Sequence, residues 1–91
     1  MKLIRTSKFS KQSKKLIKND NYLRSKLEEV LNKISNGPFD ESLFTHKLKG
    51  DLKESYSSRL NYELRIIFKF EEYEKEECIL LLAIGTHDEV Y

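Results

Sequence analysis

Apolar and polar residues alternate through residues 57–70, which read SSRLNYELRIIFKF. Because successive side chains of a strand point to opposite faces of its sheet, this alternation predicts a strand. Its apolar face would enter the core and comprises Leu60, Tyr62, Leu64, Ile66, Phe68 and Phe70. Its charged face comprises Arg59, Asn61, Glu63, Arg65 and Lys69, interrupted by Ile67. By itself this charged face favours a cross-strand charge ladder, and an anion-binding site is the alternative.

Two helices are predicted ahead of this strand, after a short strand at residues 2–6. The first helix has Ser7 in position to cap its N-terminus, and its inner face comprises Phe9, Ser13, Leu16 and Ile17. Residues 19–21 end this helix and can cap the next. The second helix repeats apolar residues every three or four positions and ends at residues 36–38, Asn-Gly-Pro. Its apolar residues are Leu23, Leu27, Val30, Leu31 and Ile34. The two helices are expected to lie antiparallel on one face of a sheet.

The remaining pattern predicts further strands. A loop over residues 39–45 leads to strand segments at residues 46–50 and 52–58, joined by a turn at Gly50 and Asp51. The second segment is expected to continue, with a bend near Asn61, into the strand described above.

The C-terminal third begins with an acidic turn at residues 71–77. Residues 78–84 are then apolar on both faces, which is typical of an interior strand, and residues 87–91 form a short tail. The order β-α-α-β-β-β, with an optional further β, predicts an α+β fold. Two N-terminal helices would pack on a twisted, mostly antiparallel sheet.

A chain of 91 residues, 38% of them apolar, is expected to fold as a single domain over residues 1–91. No apolar stretch approaches the roughly 18 residues that span a membrane, and no signal-peptide core follows the basic N-terminus. A cytoplasmic protein without a membrane partner is therefore expected.

Cys78 precedes an apolar run, which indicates a buried thiol. With one cysteine and two histidines 41 positions apart, the sequence has no zinc motif, and no cofactor is expected.

Charge is unevenly distributed along the chain. Residues 1–18 hold seven basic residues and no acidic one, and the remaining 73 residues hold ten basic and fifteen acidic ones. The first segment therefore contributes +7 and the second −5 to the net charge of +2. A one-sided basic surface suggests a polyanion or an acidic protein as partner, and a solvated helix face is the alternative.

Both histidines lie at predicted strand ends, where His46 begins one strand and His87 follows another. Either one alone would more often be a surface residue. Histidine can take or give a proton near neutral pH, and arginine presents a planar fork of donors to phosphate oxygens. Such groups suit metal-free cleavage of an RNA phosphodiester, in which a base deprotonates the 2′-hydroxyl, cations stabilise the phosphorane and an acid protonates the leaving 5′-oxygen. No cluster of carboxylates suggests a two-metal nuclease.

The sequence HKLKG at residues 46–50, the strand of residues 57–70 and the terminal ILLLAIGTHDEVY together resemble the RelE/ParE superfamily of toxins from bacterial and archaeal toxin-antitoxin pairs. The motifs HxLxG, R-x-x-x-E-x-R-[IL]-[IV]-[FY] and GTH-x-x-x-[FY] follow the family's order and spacing, with the YafQ-like and YoeB-like messenger-RNA interferases as the nearest branches. The resemblance covers nearly the whole chain. It implies a fold similar to a microbial ribonuclease core and metal-independent cleavage of messenger RNA in the ribosomal A site. It also implies a cognate antitoxin that wraps the toxin in a hetero-oligomer and blocks the site.

The resemblance assigns catalytic positions residue by residue. His46 matches a catalytic position that is histidine in YafQ-like proteins and glutamate in YoeB-like ones. His87 matches the C-terminal catalytic histidine of both, and Tyr91 matches the terminal aromatic. Glu63 and Arg65 match the Glu-x-Arg of the YoeB-like strand.

The chain mixes the two patterns, because YafQ-like proteins have histidine and aspartate where it has Arg59 and Glu63. We expect His46 to act as base and His87 as acid, with the reverse left open, and Arg59 and Arg65 to bind phosphate. Glu63 is expected to orient an arginine or to share the base role. Tyr91 can pack the chain end on the sheet or stack on a base. Five lysines are expected to contact RNA, namely Lys8, Lys11, Lys15, Lys47 and Lys49.

Two other functions are compatible with this fold. A ParE-like inhibitor of DNA gyrase would act by binding alone and would not need His46, His87 and Arg65, whose presence argues against it. A catalytically inactive homologue would act only in antitoxin binding and autoregulation.

Overall fold

The computed structural model describes residues 1–52 and 54–91, which form one five-stranded sheet and its helices. The strands are β1 (Lys2–Arg5), β2 (His46–Lys47), β3 (Tyr56–Arg59), β4 (Leu64–Tyr73) and β5 (Glu76–Thr86). The helices are α1 (Ser7–Ile17), α2 (Asn21–Asn36) and the short α3 (His87–Val90), with 3₁₀ turns at Glu41–Leu43 and Gly50–Leu52. The predicted α+β order is confirmed, including the optional strand. None of the helices in the described ranges is long and apolar enough to cross a membrane.

The sheet has the order β1-β5-β4-β3-β2. The apolar strand β5 lies inside it, antiparallel to β4 and parallel to β1, and the remaining pairs are antiparallel. β1 therefore occupies an edge. Because β1 pairs with β5 only as far as Leu81, the N–H of Ile84 further along β5 donates instead to the Gln12 side chain of α1, at 2.9 Å.

Both N-terminal helices pack on one face of the sheet and form the main core there. All five apolar residues predicted for the inner face of α2 are buried. The N-cap of α1 is Thr6 rather than the predicted Ser7. The Thr6 hydroxyl accepts from the Phe9 N–H and donates to the Leu81 carbonyl at 2.8 Å, so it also ties the start of the helix to β5.

Residues 57–70 form a hairpin rather than the single strand that their alternation predicts. β3 ends at Arg59, the chain turns through residues 60–63, and β4 begins at Leu64. The Asn61 side chain stabilises this turn, because it accepts from the N–H groups of residues 63 and 64 at 2.9 and 2.8 Å. The alternation does not hold across a reversal of the chain. Tyr62, which was assigned to the core, is consequently 90% exposed.

The segments on either side of that hairpin are shorter than predicted. Only His46–Lys47 of the segment at residues 46–50 is a strand, and β3 begins at Tyr56 rather than at residue 52. Lys53, within the second segment, lies outside the described residues. Between β4 and β5 the acidic segment contains a tight turn in which Glu74 and Lys75 both have positive φ, as type I′ hairpin turns require.

The face of the sheet opposite α1 and α2, called the site face below, carries a smaller apolar cluster. Its members are Ile67, Ala83 and Val90, with Leu48 and Leu82 packed against them. A register shift next to Ile67 makes Leu82 an extra residue in β5, so Leu82 and Ala83 both join this cluster. Val90 belongs to α3. Of residues 87–91, predicted as a tail, His87–Val90 form a helical turn that packs on the sheet.

Candidate active site

One row of cross-strand neighbours on the site face carries His46. His46 of β2 lies opposite Ser57 of β3, and Ser57 lies opposite Ile67 of β4. Directly opposite residues of an antiparallel pair point to the same side of the sheet, so His46 is on the side that faces away from α1 and α2. His46 is exposed, whereas Ser57 beside it is fully buried.

His87 reaches the same region through α3, whose first residue it is. The Tyr91 ring lies edge-on to the His87 imidazole with 4.3 Å between ring centroids, and the Tyr91 N–H donates to the His87 carbonyl at 3.0 Å. The Tyr91 hydroxyl donates to the Oγ of Ser57, the residue opposite His46. Tyr91 therefore connects His87 to Ser57, the cross-strand neighbour of His46.

Phe44 positions two of the predicted groups. Its carbonyl lies 3.3 Å from Nδ1 of His46. Because a carbonyl only accepts, this hydrogen bond places the proton of a neutral His46 imidazole on Nδ1 and leaves Nε2 with a free lone pair. The Phe44 ring lies 4.2 Å from Cζ of Arg59, a cation–π contact. Phe44 has a φ of 50°, which is uncommon for a residue other than glycine, so this strained position places a candidate base and a candidate cation together.

The two arginines form a second row on the site face. Arg59 lies opposite Arg65, and Arg65 lies opposite Gly85. Like charges directly opposite each other destabilise a sheet. Among the side chains that the structure describes, neither arginine forms an ion pair with a carboxylate. Glu63 is exposed in the turn of the hairpin and does not lie between the two arginines on a strand. The charge ladder of Arg59, Glu63 and Arg65 that the alternation favours is therefore wrong. An anion between the arginines would relieve their repulsion.

Arg65 also holds the β3–β4 turn. Its Nη1 lies 3.0 and 3.3 Å from the carbonyls of Asn61 and Tyr62, and 3.2 Å from that of Leu64. Among the residues that the structure describes, its Nη2 and Nε have no acceptor. One side of the guanidinium thus fastens the turn, and the other side remains available to a ligand.

The five lysines predicted to contact RNA lie on different surfaces. Lys47 is opposite Tyr56, which packs against the main core, so Lys47 is on the helix side of the sheet and not on the site face. Lys49 lies beyond the end of β2. Three exposed lysines share one face of α1, namely Lys8, Lys11 and Lys15. Lys15 and Glu89 of α3 line one cavity, so Lys15 is the member of this set that lies near α3.

Glu89 of α3 is expected to make the stability of the fold dependent on pH. The N–H of Thr86 donates to Glu89 Oε1 at 2.8 Å, and this bond, followed by the Thr86 side chain, holds the pKa of Glu89 below its ordinary value of 4.5. A carboxylate whose pKa is lower in the folded than in the unfolded state contributes its full stabilisation of the fold at pH values above the unfolded-state pKa. That contribution is lost as the pH falls through the folded-state pKa. Wild type should therefore lose stability relative to Glu89→Gln below about pH 4.5. Urea unfolding at a series of pH values measures this, and a stability difference that is constant with pH would contradict it.

Gly85 permits the close approach of α3. A Cβ at Gly85 would lie 3.1 Å from both Cβ and Oε1 of Glu89, and 3.4 Å from a methyl of Val90. Gly85→Ala should displace α3 by a few tenths of an ångström and cost about 1–3 kcal/mol of unfolding free energy. A matched control is Gly37→Ala, because a Cβ at Gly37 meets nothing within 4 Å. Thermal unfolding of the two variants checks this, and equal stabilities would show that α3 has room to spare.

Phe44, Ser57 and Glu89 contact the predicted groups or their neighbours, and none of the three is predicted from the sequence. Thr86 and Glu89 stand at the spacing of a capping box, which is a recognisable signal for a helix start. Ser57 and Phe44 carry no local signal, because their roles depend on chain segments that are distant in sequence. Among the described residues, no three His, Cys, Asp or Glu side chains lie together as a metal site requires. The arrangement offers proton transfer and anion binding.

The whole chain, residues 1–91, matches the family described as bacterial toxin of type II toxin-antitoxin system, YafQ. Several solved structures share the fold. A YoeB/ParE toxin from Agrobacterium tumefaciens is 21% identical with a TM-score of 0.81, and the match covers 96% of this chain and 99% of that one. A metal-bound toxin from Helicobacter pylori is 26% identical with a TM-score of 0.79, covering 100% and 99%. A chain of the YoeB–YefM complex from Staphylococcus aureus is 23% identical with a TM-score of 0.74, covering 96% and 97%. No curated protein matches the sequence significantly.

Proposed function

Because the chain belongs to the YafQ family of bacterial type II toxins, we propose that it is an endoribonuclease that cleaves messenger RNA in the ribosomal A site. The observation that carries the proposal is the convergence of two histidines and two arginines on the site face. His46 lies opposite Ser57, Tyr91 connects Ser57 to His87, and the arginine row of Arg59 and Arg65 lies alongside with no carboxylate partner among the described side chains. These groups suffice for acid/base cleavage without a metal.

His46 is the proposed base. Its Nδ1 proton points to the Phe44 carbonyl, so Nε2 can accept the proton of a ribose 2′-hydroxyl. The 2′-oxygen then attacks the adjacent phosphorus, and the bond from phosphorus to the 5′-oxygen of the next nucleotide breaks. His87 gives a proton to that leaving oxygen. The products are a 2′,3′-cyclic phosphate on one fragment and a 5′-hydroxyl on the other.

The arginines and Tyr91 have supporting roles. Arg65 can donate from Nη2 and Nε to the phosphorane oxygens while Nη1 holds the turn, and Arg59 supplies the second positive charge from its place on Phe44. Tyr91 keeps the His87 imidazole in place through its ring and is itself tied to Ser57. We assign no step to Glu63, whose carboxylate is exposed in the turn and orients neither arginine.

A cognate antitoxin is the proposed protein partner. The toxin from Staphylococcus aureus with the same fold was solved in complex with YefM. We propose that this chain likewise forms a hetero-oligomer with an antitoxin that covers the site face and blocks access of RNA.

The chemistry can be tested on ribosomes that are programmed with a defined message. The purified chain should cut the all-ribose message and leave a 2′,3′-cyclic phosphate and a 5′-hydroxyl. A message with a single 2′-deoxynucleotide on the 5′ side of the scissile bond should stay intact at that bond. Cleavage at the deoxynucleotide, or a 5′-phosphate product, would show attack by water and would contradict the mechanism.

A further inference from the structure

A groove of about 390 Å³ lies between α2 and the β3–β4 turn, on the helix side of the sheet, and shares Arg59 with the arginine row of the site face. Its floor is made of core residues, among them Val30, Leu43 and Leu60, which are at most 3% exposed. Tyr22, in the first turn of α2, and Tyr62, in the β3–β4 turn, both line it and are 81% and 90% exposed. Two nearly fully exposed aromatic rings thus stand at one groove.

The charges of the groove are of one sign. Lys26, Lys33 and Arg59 line it, and among the described residues no aspartate or glutamate does. Lys26 also pairs with Glu29 at 3.3 Å, and Lys33 lies 3.3 Å from the hydroxyl of Ser42, so these ammonium groups are held near the groove. Cations beside exposed aromatic rings suit a strand of nucleotides, whose phosphates need positive charge and whose bases stack on aromatic faces.

Arg59 belongs to both the groove and the arginine row. An RNA strand whose phosphate lies between Arg59 and Arg65 would therefore have a neighbouring nucleotide at the mouth of the groove. We propose that the groove binds a single-stranded RNA segment, with bases stacked on Tyr62 and Tyr22 and the backbone held by Arg59 and Lys33. The inference rests on the proposed function, because it extends the same bound strand.

The affinity test uses an uncleavable 2′-O-methyl RNA 12-mer and fluorescence anisotropy. Tyr62→Ala should weaken binding by roughly 10-fold, since stacking on one aromatic side chain contributes about 1–3 kcal/mol per base. Tyr62→Phe, which keeps the ring, should bind like wild type. So should Tyr73→Ala, which removes a tyrosine that is 56% exposed in the distant β4–β5 hairpin. Equal RNA affinity of Tyr62→Ala and wild type would overturn the inference. If Tyr62→Ala bound RNA normally but lost affinity for the antitoxin, the groove would be a protein-binding site instead.

Photo-crosslinking on programmed ribosomes identifies the source of the RNA. A benzophenone amino acid at position 62 should crosslink to message nucleotides flanking the A-site codon, whereas crosslinks to ribosomal RNA alone would overturn the inference. Crosslinks no stronger than those from position 73 would overturn the inference. None of these measurements requires cleavage. If the wild-type chain binds RNA through Tyr62 but does not cleave it, the proposed function is refuted and the inference about the groove still holds.

Discussion

His87→Ala is expected to reduce cleavage of messenger RNA by about 10²–10⁴-fold, the usual contribution of a positioned acid or base. The imidazole is 72% exposed and contributes little to the core, so the free energy of unfolding should change by less than about 1 kcal/mol. Cleavage by wild type and variant is measured on programmed ribosomes, with antitoxin binding as the check on folding. Retained cleavage by a folded variant would remove His87 from the mechanism.

The same variant separates the two roles that the sequence leaves open for the histidines. In a message with sulfur in place of the 5′-oxygen of the scissile bond, the leaving group departs without needing a proton. This message should restore cleavage by His87→Ala and should not restore cleavage by His46→Ala. The opposite pattern would exchange the roles, making His87 the base and His46 the acid.

Arg65→Lys is expected to reduce cleavage by roughly 10-fold or more, although it preserves the charge. The guanidinium holds the carbonyls of Asn61 and Tyr62 with Nη1 and has further donors for phosphate, whereas a single ammonium cannot serve both directions. The cleavage rate at saturating ribosomes measures how much Arg65 stabilises the phosphorane. The temperature of thermal unfolding measures how much Arg65 stabilises the β3–β4 turn.

The matched control for this substitution is Arg24→Lys, because Arg24 is exposed on α2 and lies outside the site. It should leave both quantities unchanged. Wild-type cleavage by Arg65→Lys, with a lower unfolding temperature, would mean that Arg65 only fastens the turn.

The local periodicity of apolar residues predicts most of the helices and strands correctly. The core face of α2 and the doubly apolar strand β5 are regular over many residues, and both are as predicted. The site histidines also lie where predicted, His46 at the start of β2 and His87 directly after β5. These features follow from sequence because each depends on neighbours in the chain.

The features that could not be predicted from the sequence depend on reversal of the chain and on contacts between residues distant in sequence. The turn at residues 60–63 contains neither glycine nor proline, and Asn61 is its only turn signal. Without that turn the register is unknown, and so is the pairing of Arg59 with Arg65. The four residues of α3 are too few to show helical periodicity. The left-handed backbone at Phe44 has no local signature.

A histidine pair in this toxin is proposed to cut translated messages in the cell. The most direct measurement is induced expression of the chain without antitoxin, followed by mapping of new 5′ ends on cellular messages, with His87→Ala expressed to the same level. We predict breaks inside translated codons for wild type and none for the variant. Growth arrest without such breaks, above all with double-strand DNA damage, would contradict the claim and point to a gyrase inhibitor instead.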